Sequence, residues 1–149
     1  MAQQPPEIGR EYRIQSKATG RELATPNRGG PGFWTDAPHV VPAGEGEGVL
    51  WEVEDADIGY RFKTGGPFRW EDMEGGQNLG GRLDSNADRQ VYAHSANEGA
   101  YQKWRLFPDG EGYWQLVNVA TGLALDGTPE DIYTMAPNDG AYQRWRFIP

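Results

Sequence analysis

The decapeptide NEGAYQKWRL at residues 97–106 returns as NDGAYQRWRF at residues 138–147, and every difference between the two copies is chemically mild. The match continues towards the N-terminus at the same offset of 41 residues, where Val91-Tyr92 aligns with Ile132-Tyr133. Agreement over this length, with Trp and Tyr residues in register, indicates an internal repeat.

The repeated frame also includes a Leu-Asp pair, and it reaches into the first part of the chain. Leu83-Asp84 aligns with Leu125-Asp126 after a gap of one residue. A more divergent copy opens the chain. In it, Tyr12-Arg13-Ile14 resembles the strand-like segment at residues 113–116, and Val49-Leu50-Trp51 stands where the other copies have Gln-x-Trp.

Three copies predict one domain built from three lobes. The domain spans residues 1–149, with lobes at about residues 10–56, 57–109 and 110–149. The middle lobe carries an insertion at residues 65–81, and the first lobe has Phe33-Trp34 in place of the aliphatic-Tyr pair. A chain of 149 residues is long enough for one hydrophobic core but not for two domains.

Each lobe contains about four short stretches of strand-like composition, separated by Gly, Pro, Asn and Asp residues that favour turns. No stretch shows the sustained 3.6-residue period of a helix. One lobe cannot bury its own apolar face, whereas closure of three lobes around an axis buries it and pairs the strand edges. We therefore predict an all-β domain of about twelve short strands with pseudo-threefold symmetry, a β-trefoil, with Trp51, Trp104 and Trp145 pointing into the core.

The charge of the chain restricts its partners. A formal net charge of −8, with 14 Lys and Arg residues scattered along the sequence, is the wrong pattern for a nucleic-acid partner. Anionic membrane surfaces are disfavoured for the same reason, and no apolar run is long enough to insert into a membrane. A neutral glycan meets no such electrostatic penalty. A homodimer is compatible with this composition.

The reactive residues do not indicate an enzyme. The chain has no Cys and only two His residues, His39 and His94, which excludes thiol catalysis and leaves no basis for a metal site or another cofactor. The Ser residues lack the context of a nucleophile elbow, and a Gly-rich phosphate loop is absent.

The segment MAQQPP at residues 1–6 lacks the basic start and the apolar run of a signal peptide. We therefore expect a cytoplasmic protein, unless it is released by a non-standard route.

The repeated frame resembles the lobes of ricin-B-type carbohydrate-binding β-trefoils. The resemblance rests on Leu125-Asp126, Tyr133 and residues 142–145, and on the corresponding Leu83-Asp84, Tyr92 and residues 101–104. In that family an Asp early in the lobe binds sugar hydroxyls, and an aromatic ring packs on the apolar face of the sugar. Polar side chains just before Gln-x-Trp complete the site.

The resemblance implies a non-catalytic lectin that binds glycans, either galactose-type or other neutral sugars, through its second and third lobes. The implied carbohydrate-binding residues are, in the second lobe, Asp84, Gln90, Tyr92, His94, Asn97 and Gln102 and, in the third lobe, Asp126, Asp131, Tyr133, Asn138 and Gln143. A carboxylate accepts hydrogen bonds from hydroxyl groups, and a Tyr ring supplies rigid apolar contact area.

Some positions depart from the family pattern. Tyr101 and Tyr142 stand directly before the Gln residues, where many family members have Asn. This change removes a polar partner and would block the site or alter the preferred sugar. The first lobe has Ala24 for the Asp and Val49 for the Gln, so we predict that it does not bind sugar in this way.

Each candidate residue also has a purely structural interpretation. The Gln residues could hold turn backbone, and the Asp residues could cap turns. Tyr92 and Tyr133 could cover the flank of the barrel, and His94 could be a solvated loop residue. The Gly-Glu alternation at residues 44–48 is most simply a mobile loop.

A β-trefoil protease inhibitor is the alternative function, because some cysteine-free trefoils of this size act through an exposed loop. The candidate loops are residues 35–48 and the insertion at residues 65–81. Arg69 or Arg82 could enter a trypsin-like pocket. A toxin-associated module is a further alternative. Glycan-binding and trypsin-inhibition assays separate these functions.

Overall fold

The computed structural model describes residues 3–25, 39–64, 81–94 and 99–149. The strands in these residues are β1 (Glu11–Ser16), β2 (Glu22–Ala24), β3 (Val41–Ala43), β4 (Trp51–Asp55), β5 (Tyr60–Thr64), β6 (Gly81–Ser85), β7 (Val91–His94), β8 (Trp104–Pro108), β9 (Trp114–Asn118), β10 (Ala124–Gly127), β11 (Ile132–Met135) and β12 (Trp145–Ile148). Short 3₁₀ turns, Ala100–Gln102 and Ala141–Gln143, precede β8 and β12. Within the described ranges, no helix has the length and apolar character needed to cross a membrane.

Six of the strands close a barrel. Antiparallel pairing runs in a ring from β1 to β4, β5, β8, β9 and β12 and back to β1. The other six strands form three hairpins, β2–β3, β6–β7 and β10–β11. A closed ring pairs both edges of every barrel strand and so leaves none of these edges open to another chain. The predicted all-β, pseudo-threefold β-trefoil is confirmed.

Equivalent residues of the three lobes occupy equivalent positions. The first strand of each lobe meets its last strand at Tyr12–Trp51, Tyr60–Trp104 and Trp114–Trp145. The loops after β1 and β9 are also alike, because Gly20 N–H donates to the Ser16 carbonyl at 3.0 Å and Gly122 N–H donates to the Asn118 carbonyl at 2.8 Å. Both glycines have a positive φ, 73° and 72°, which residues with a Cβ rarely adopt.

The three repeat tryptophans form the centre of the core, as predicted. Trp51, Trp104 and Trp145 are each 0% exposed. Their indole Nε1–H groups donate to main-chain carbonyls at the same place in each hairpin, those of Leu23 at 3.4 Å, Leu83 at 3.0 Å and Leu125 at 3.0 Å. Because a buried indole N–H needs a partner, these bonds fasten each hairpin to the barrel in one register.

Several positions of the sequence interpretation lie outside the described residues. They are Phe33-Trp34, residues 35–38, Arg69, Asn97 and residues 65–80 of the insertion.

Candidate functional site in the second and third lobes

The strand register pairs the two residue types that the repeat singles out. On the β6–β7 hairpin Asp84 lies opposite Tyr92, and on the β10–β11 hairpin Asp126 lies opposite Tyr133. Directly opposite side chains share one face of a hairpin, and the Leu that precedes each Asp is fully buried on the other face. Alternation along the strands therefore places a carboxylate and a phenol together on the face away from the core.

In the third lobe, Asp126 is fixed by two hydrogen bonds from the protein. Its side chain is nearly buried, with the residue 6% exposed. Oδ1 accepts from the Gly127 main-chain N–H at 2.8 Å, and Oδ2 accepts from Gln143 Nε2 at 3.1 Å. An ionised carboxylate has about four acceptor positions, so Asp126 can still accept hydrogen bonds from a ligand.

In the second lobe, the same arrangement surrounds Asp84, which is 4% exposed. Oδ1 accepts from the Ser85 main-chain N–H at 2.7 Å, and Oδ2 accepts from Gln102 Nε2 at 2.9 Å. Burial raises the pKa of Asp84 above its usual value, while the bonds from Gln102 and Ser85, and the nearby His94, partly oppose that rise in pKa. Burial therefore disfavours the charged form of Asp84, and its carboxylate still has acceptor positions for a ligand.

The glutamines of the Gln-x-Trp segments are fully buried. Gln143 is 0% exposed, and its Nε2 also donates to the Ala136 carbonyl at 2.9 Å. Its Oε1 accepts from Gln115 Nε2 and from the Asn138 main-chain N–H, both at 2.8 Å. All four hydrogen-bonding positions of this side chain are therefore used inside the protein. Gln102 is likewise 0% exposed, so both glutamines hydrogen-bond to the carboxylates from the interior of the protein.

Each Asp–Tyr pair lines a surface pocket. The second-lobe pocket, of about 530 Å³, is lined by Asp84, Ser85, Asn86, Tyr92, His94, Gly99 and Tyr101. The third-lobe pocket, of about 450 Å³, is lined by Asp126, Thr128, Tyr133, Asn138, Gly140 and Tyr142. The two pockets share one carboxylate, two tyrosines and one glycine at equivalent positions of the repeat.

The tyrosines that precede the glutamines are pocket walls. Tyr101 is 43% exposed and Tyr142 is 50% exposed, while the Gln after each is fully buried. The 3₁₀ turns Ala100–Gln102 and Ala141–Gln143 separate the directions of these neighbouring side chains. In the sequence these residues stood out only as departures from a family pattern. In the structure the pockets stay open beside them.

The hairpin tyrosines are kept as neutral phenols. Burial, and then the nearby Asp84, raise the pKa of Tyr92, and burial followed by Asp126 raises the pKa of Tyr133. The Tyr92 hydroxyl donates to the Ser85 carbonyl at 3.1 Å, which fixes the ring. A fixed, neutral ring beside a carboxylate offers an apolar face and a charged acceptor in one pocket.

The remaining sequence-predicted residues divide between these pockets and a second cleft. His94 lines the second-lobe pocket, and Asn138 lines the third-lobe pocket. The structure does not bring Gln90 and Asp131 into either pocket. They line a cleft of about 490 Å³ where the three hairpins meet. Each stands just before the second strand of its hairpin, and Gln90 bridges to Tyr133 of the next lobe.

The first lobe lacks both side chains at the equivalent place. Ala24 pairs with Val41 there, where the other hairpins pair Asp with Tyr. Val49 occupies the position of the buried glutamine, as the sequence alignment indicated. This hairpin therefore presents no carboxylate and no phenol at those positions.

The first-lobe acid Glu22 serves the fold. It is 0% exposed and forms an ion pair with Arg13 at 3.0 Å. Its carboxylate also accepts from the main-chain N–H groups of Gly46 at 2.7 Å and Gly48 at 2.9 Å. The expected mobile loop at residues 44–48 is therefore tied to the barrel, a contact that the local sequence does not show.

Arg82, one candidate for an inhibitory loop, is engaged within the fold. Its Nε and Nη2 donate to Glu54 Oε1 and Oε2 at 3.0 and 2.9 Å. Its side chain is only 12% exposed. A two-point ion pair with most of its surface covered does not present an arginine to a protease pocket.

Comparison with known proteins adds a family match. A family model described as ricin-type beta-trefoil lectin domain-like matches residues 60–131 and 100–149. Together these ranges extend over residues 60–149, which is more than half of the chain. A comparison with curated protein sequences finds no significant match.

Solved structures match nearly the whole chain at low sequence identity. ThreeFoil, a designed threefold-symmetric protein, is 22% identical with a TM-score of 0.70, over 93% of this chain and 98% of that chain. A Culex quiquefasciatus salivary protein of the Cysteine and Tryptophan-Rich family is 18% identical with a TM-score of 0.76. The match covers 99% of this chain and 97% of the salivary protein. A Polyporus squamosus lectin, bound to the human-type influenza-binding epitope Neu5Aca2-6Galb1-4GlcNAc, is 16% identical with a TM-score of 0.68. The match covers 96% of this chain and 50% of the lectin chain. At these identities the likeness shows the fold alone.

Proposed function

The chain belongs to the ricin-type β-trefoil lectin domain-like family, and from this premise we propose that it is a non-catalytic lectin with glycan sites in its second and third lobes. One observation carries the proposal. In two lobes, a hairpin and the 3₁₀ turn that follows it bring a buried carboxylate and two tyrosines together at an open pocket. A purely structural role for these residues gives no reason for the set to recur beside open space.

The proposed contact uses the two faces of a pyranose. Hydroxyl groups of the sugar donate to the free acceptor positions of Asp84 or Asp126, and these are charge-assisted hydrogen bonds. The apolar C–H face packs on a tyrosine ring of the same pocket. Gln102 and Gln143 already hold the carboxylates in place. Binding therefore does not have to order these side chains, which lowers its entropic cost.

The pocket composition supports binding without catalysis. Among the described lining residues, each pocket contains one carboxylic acid, Asp84 or Asp126. Glycoside hydrolysis commonly uses two carboxyl groups on opposite sides of the scissile bond. One carboxylate with a fixed phenol can hold a sugar but does not provide that acid–base pair.

The experiment is a glycan array followed by isothermal titration of the best ligand. We expect two sites per wild-type chain, one site in Asp84→Ala or Asp126→Ala, and none in the double variant. Glu111→Ala is the matched control, because this exposed carboxylate lines neither pocket. Thermal unfolding of each variant separates loss of binding from loss of fold.

Absence of binding to every glycan on the array would overturn the proposal. The same holds if glycan binds but the double variant, still folded, keeps the wild-type stoichiometry and affinity.

A further inference from the structure

Among the described residues, neither pocket carboxylate pairs with a Lys or an Arg, although two other acids of this protein do. Glu22 is paired with Arg13 at 3.0 Å, and Glu54 is paired with Arg82 at 2.9 Å. In the described part of the chain, Asp84 and Asp126 accept from main-chain N–H groups and from glutamine amides, and the nearby His94 lowers the pKa of Asp84 without cancelling its rise. Among the described residues that line the pockets there is no Lys or Arg. A nearly buried carboxylate that no Lys or Arg neutralises is costly, and a ligand can supply that charge.

Each pocket also combines the carboxylate with two aromatic rings. Tyr92 and Tyr101 line the second-lobe pocket, and Tyr133 and Tyr142 line the third-lobe pocket. The face of an aromatic ring carries partial negative charge and attracts organic ammonium groups. Tyr101 and Tyr142 keep 43% and 50% of their surface open, so their rings are available to a ligand.

Resting on the proposed lectin function, we propose that both pockets prefer glycans with a free, protonated amino group, such as unacetylated glucosamine units, over N-acetylated or acidic glycans. The ammonium group donates charge-assisted hydrogen bonds to Asp84 or Asp126. The tyrosine rings add cation–π attraction. An acidic sugar meets the same carboxylate as a like charge, and the net charge of −8 extends this discrimination beyond the pocket.

The test titrates the full chain with trimers of glucosamine, N-acetylglucosamine and galacturonic acid, at a pH at which the amine is protonated. We expect the glucosamine trimer to bind roughly tenfold more tightly than the N-acetylated trimer. The acidic trimer is expected to bind most weakly. The tenfold preference should shrink as salt is added, because salt screens partly exposed charges.

Charge-matched variants separate the pockets from general attraction to an acidic protein. The Asp84→Asn, Asp126→Asn double variant should lose the amine preference. The Glu111→Gln, Glu130→Gln double variant removes the same amount of charge from exposed residues outside both pockets, and it should keep the preference. A Tyr101→Leu, Tyr142→Leu variant changes only half-exposed rings, so it tests the same preference without disturbing buried groups.

The outcomes distinguish this preference from the lectin function. Equal binding of the glucosamine and N-acetylglucosamine trimers overturns the amine preference and leaves the lectin function standing. The amine preference is also overturned if the folded Asp84→Asn, Asp126→Asn variant keeps it. The same conclusion follows if the tyrosine variant keeps it. Failure of every glycan to bind overturns the lectin function itself.

A sugar-free probe completes the design. Tetramethylammonium chloride should displace the glucosamine trimer more effectively than sodium chloride at the same ionic strength. Equal effects of the two salts would contradict a cation-binding pocket.

Discussion

At the residue scale, the two pocket carboxylates are nearly buried acids to which we assign a role in the proposed glycan binding. Each Asp accepts from two amide donors on separate oxygens, whereas an Asn would offer one acceptor oxygen and carry no charge. Asp84 is a carboxyl group at 4% exposure, held by the amide donors of Ser85 and Gln102 with His94 nearby. Binding sites often retain groups that destabilise the free protein, because a ligand recovers the cost when it binds.

Replacement of Asp84 by Asn is expected to change how stability depends on pH. Burial raises the pKa of Asp84 above its ordinary value of 3.8, so just above pH 3.8 the folded protein holds a proton that the unfolded chain has released. The contribution of Asp84 to stability is therefore greatest below pH 3.8 and is lost as the pH rises through the raised pKa. The stability of the wild type relative to Asp84→Asn should fall through that window.

Urea unfolding at a series of pH values measures this difference. Asp88→Asn, which alters an exposed carboxylate outside both sugar pockets, serves as the control and should show no such fall. A wild-type minus Asp84→Asn difference that stays flat or increases with pH would contradict the assignment of Asp84 as a carboxylate that is costly to bury.

At the element scale, the hairpins are the part of the site that the sequence predicts well. A Leu-Asp pair with a fully buried Leu fixes which way the Asp points, because successive side chains of a strand alternate between faces. The aliphatic-Tyr pair fixes the second strand in the same way. The cross-strand pairs Asp84–Tyr92 and Asp126–Tyr133 follow from these two patterns.

The parts of the site that the sequence did not place depend on contacts between distant segments. Gln90 and Asp131 line the cleft between hairpins because separate lobes meet there, and no local pattern records that meeting. Tyr101 and Tyr142 can be found in the sequence, but their outward direction cannot. It depends on a 3₁₀ turn whose last residue is a Gln that is buried against the hairpin Asp.

Glu22 on β2 is expected to be essential to stability but not to sugar binding. Glu22→Gln removes a buried charge that pairs with Arg13 and accepts from Gly46 and Gly48. Because Arg13 is partly exposed and keeps some solvation, we expect a loss of about 1–3 kcal/mol in unfolding free energy. Denaturant unfolding measures the loss, with the exposed Glu11→Gln on β1 as the control.

The two proposed glycan sites lie on other hairpins, so titration of Glu22→Gln should still give two sites with unchanged affinity. Loss of glycan binding in a folded Glu22→Gln variant would show that the first lobe contributes to the sites. A loss of stability no greater than that of Glu11→Gln would show that the buried ion pair does not stabilise the fold.

At the scale of the whole molecule, the threefold plan separates the residues that make the fold from those that line the candidate sites. Trp51, Trp104 and Trp145 are buried in all three lobes and make the same indole-to-carbonyl bond. The Asp–Tyr pair is present in two lobes only, and in the first lobe Ala24 and Val41 replace it without loss of the hairpin. A site can therefore be absent from a lobe whose architecture is intact.

If both proposed glycan sites bind, two sites on one closed barrel predict avidity towards surfaces that carry many glycans. A second site that can engage the same surface raises apparent affinity by about 10²–10⁴ where the spacing permits it. We therefore expect Asp126→Ala to weaken binding to a densely coated glycan surface by about that factor, while the affinity of its remaining site for a soluble monovalent sugar stays near the wild-type value. Surface plasmon resonance on dense and sparse coatings measures the first quantity, and titration measures the second.

Asp84→Ala should lose binding in the same way as Asp126→Ala, and Glu111→Ala should match the wild type on every coating. Equal losses on dense and sparse coatings would mean that the two lobes do not bind one surface together.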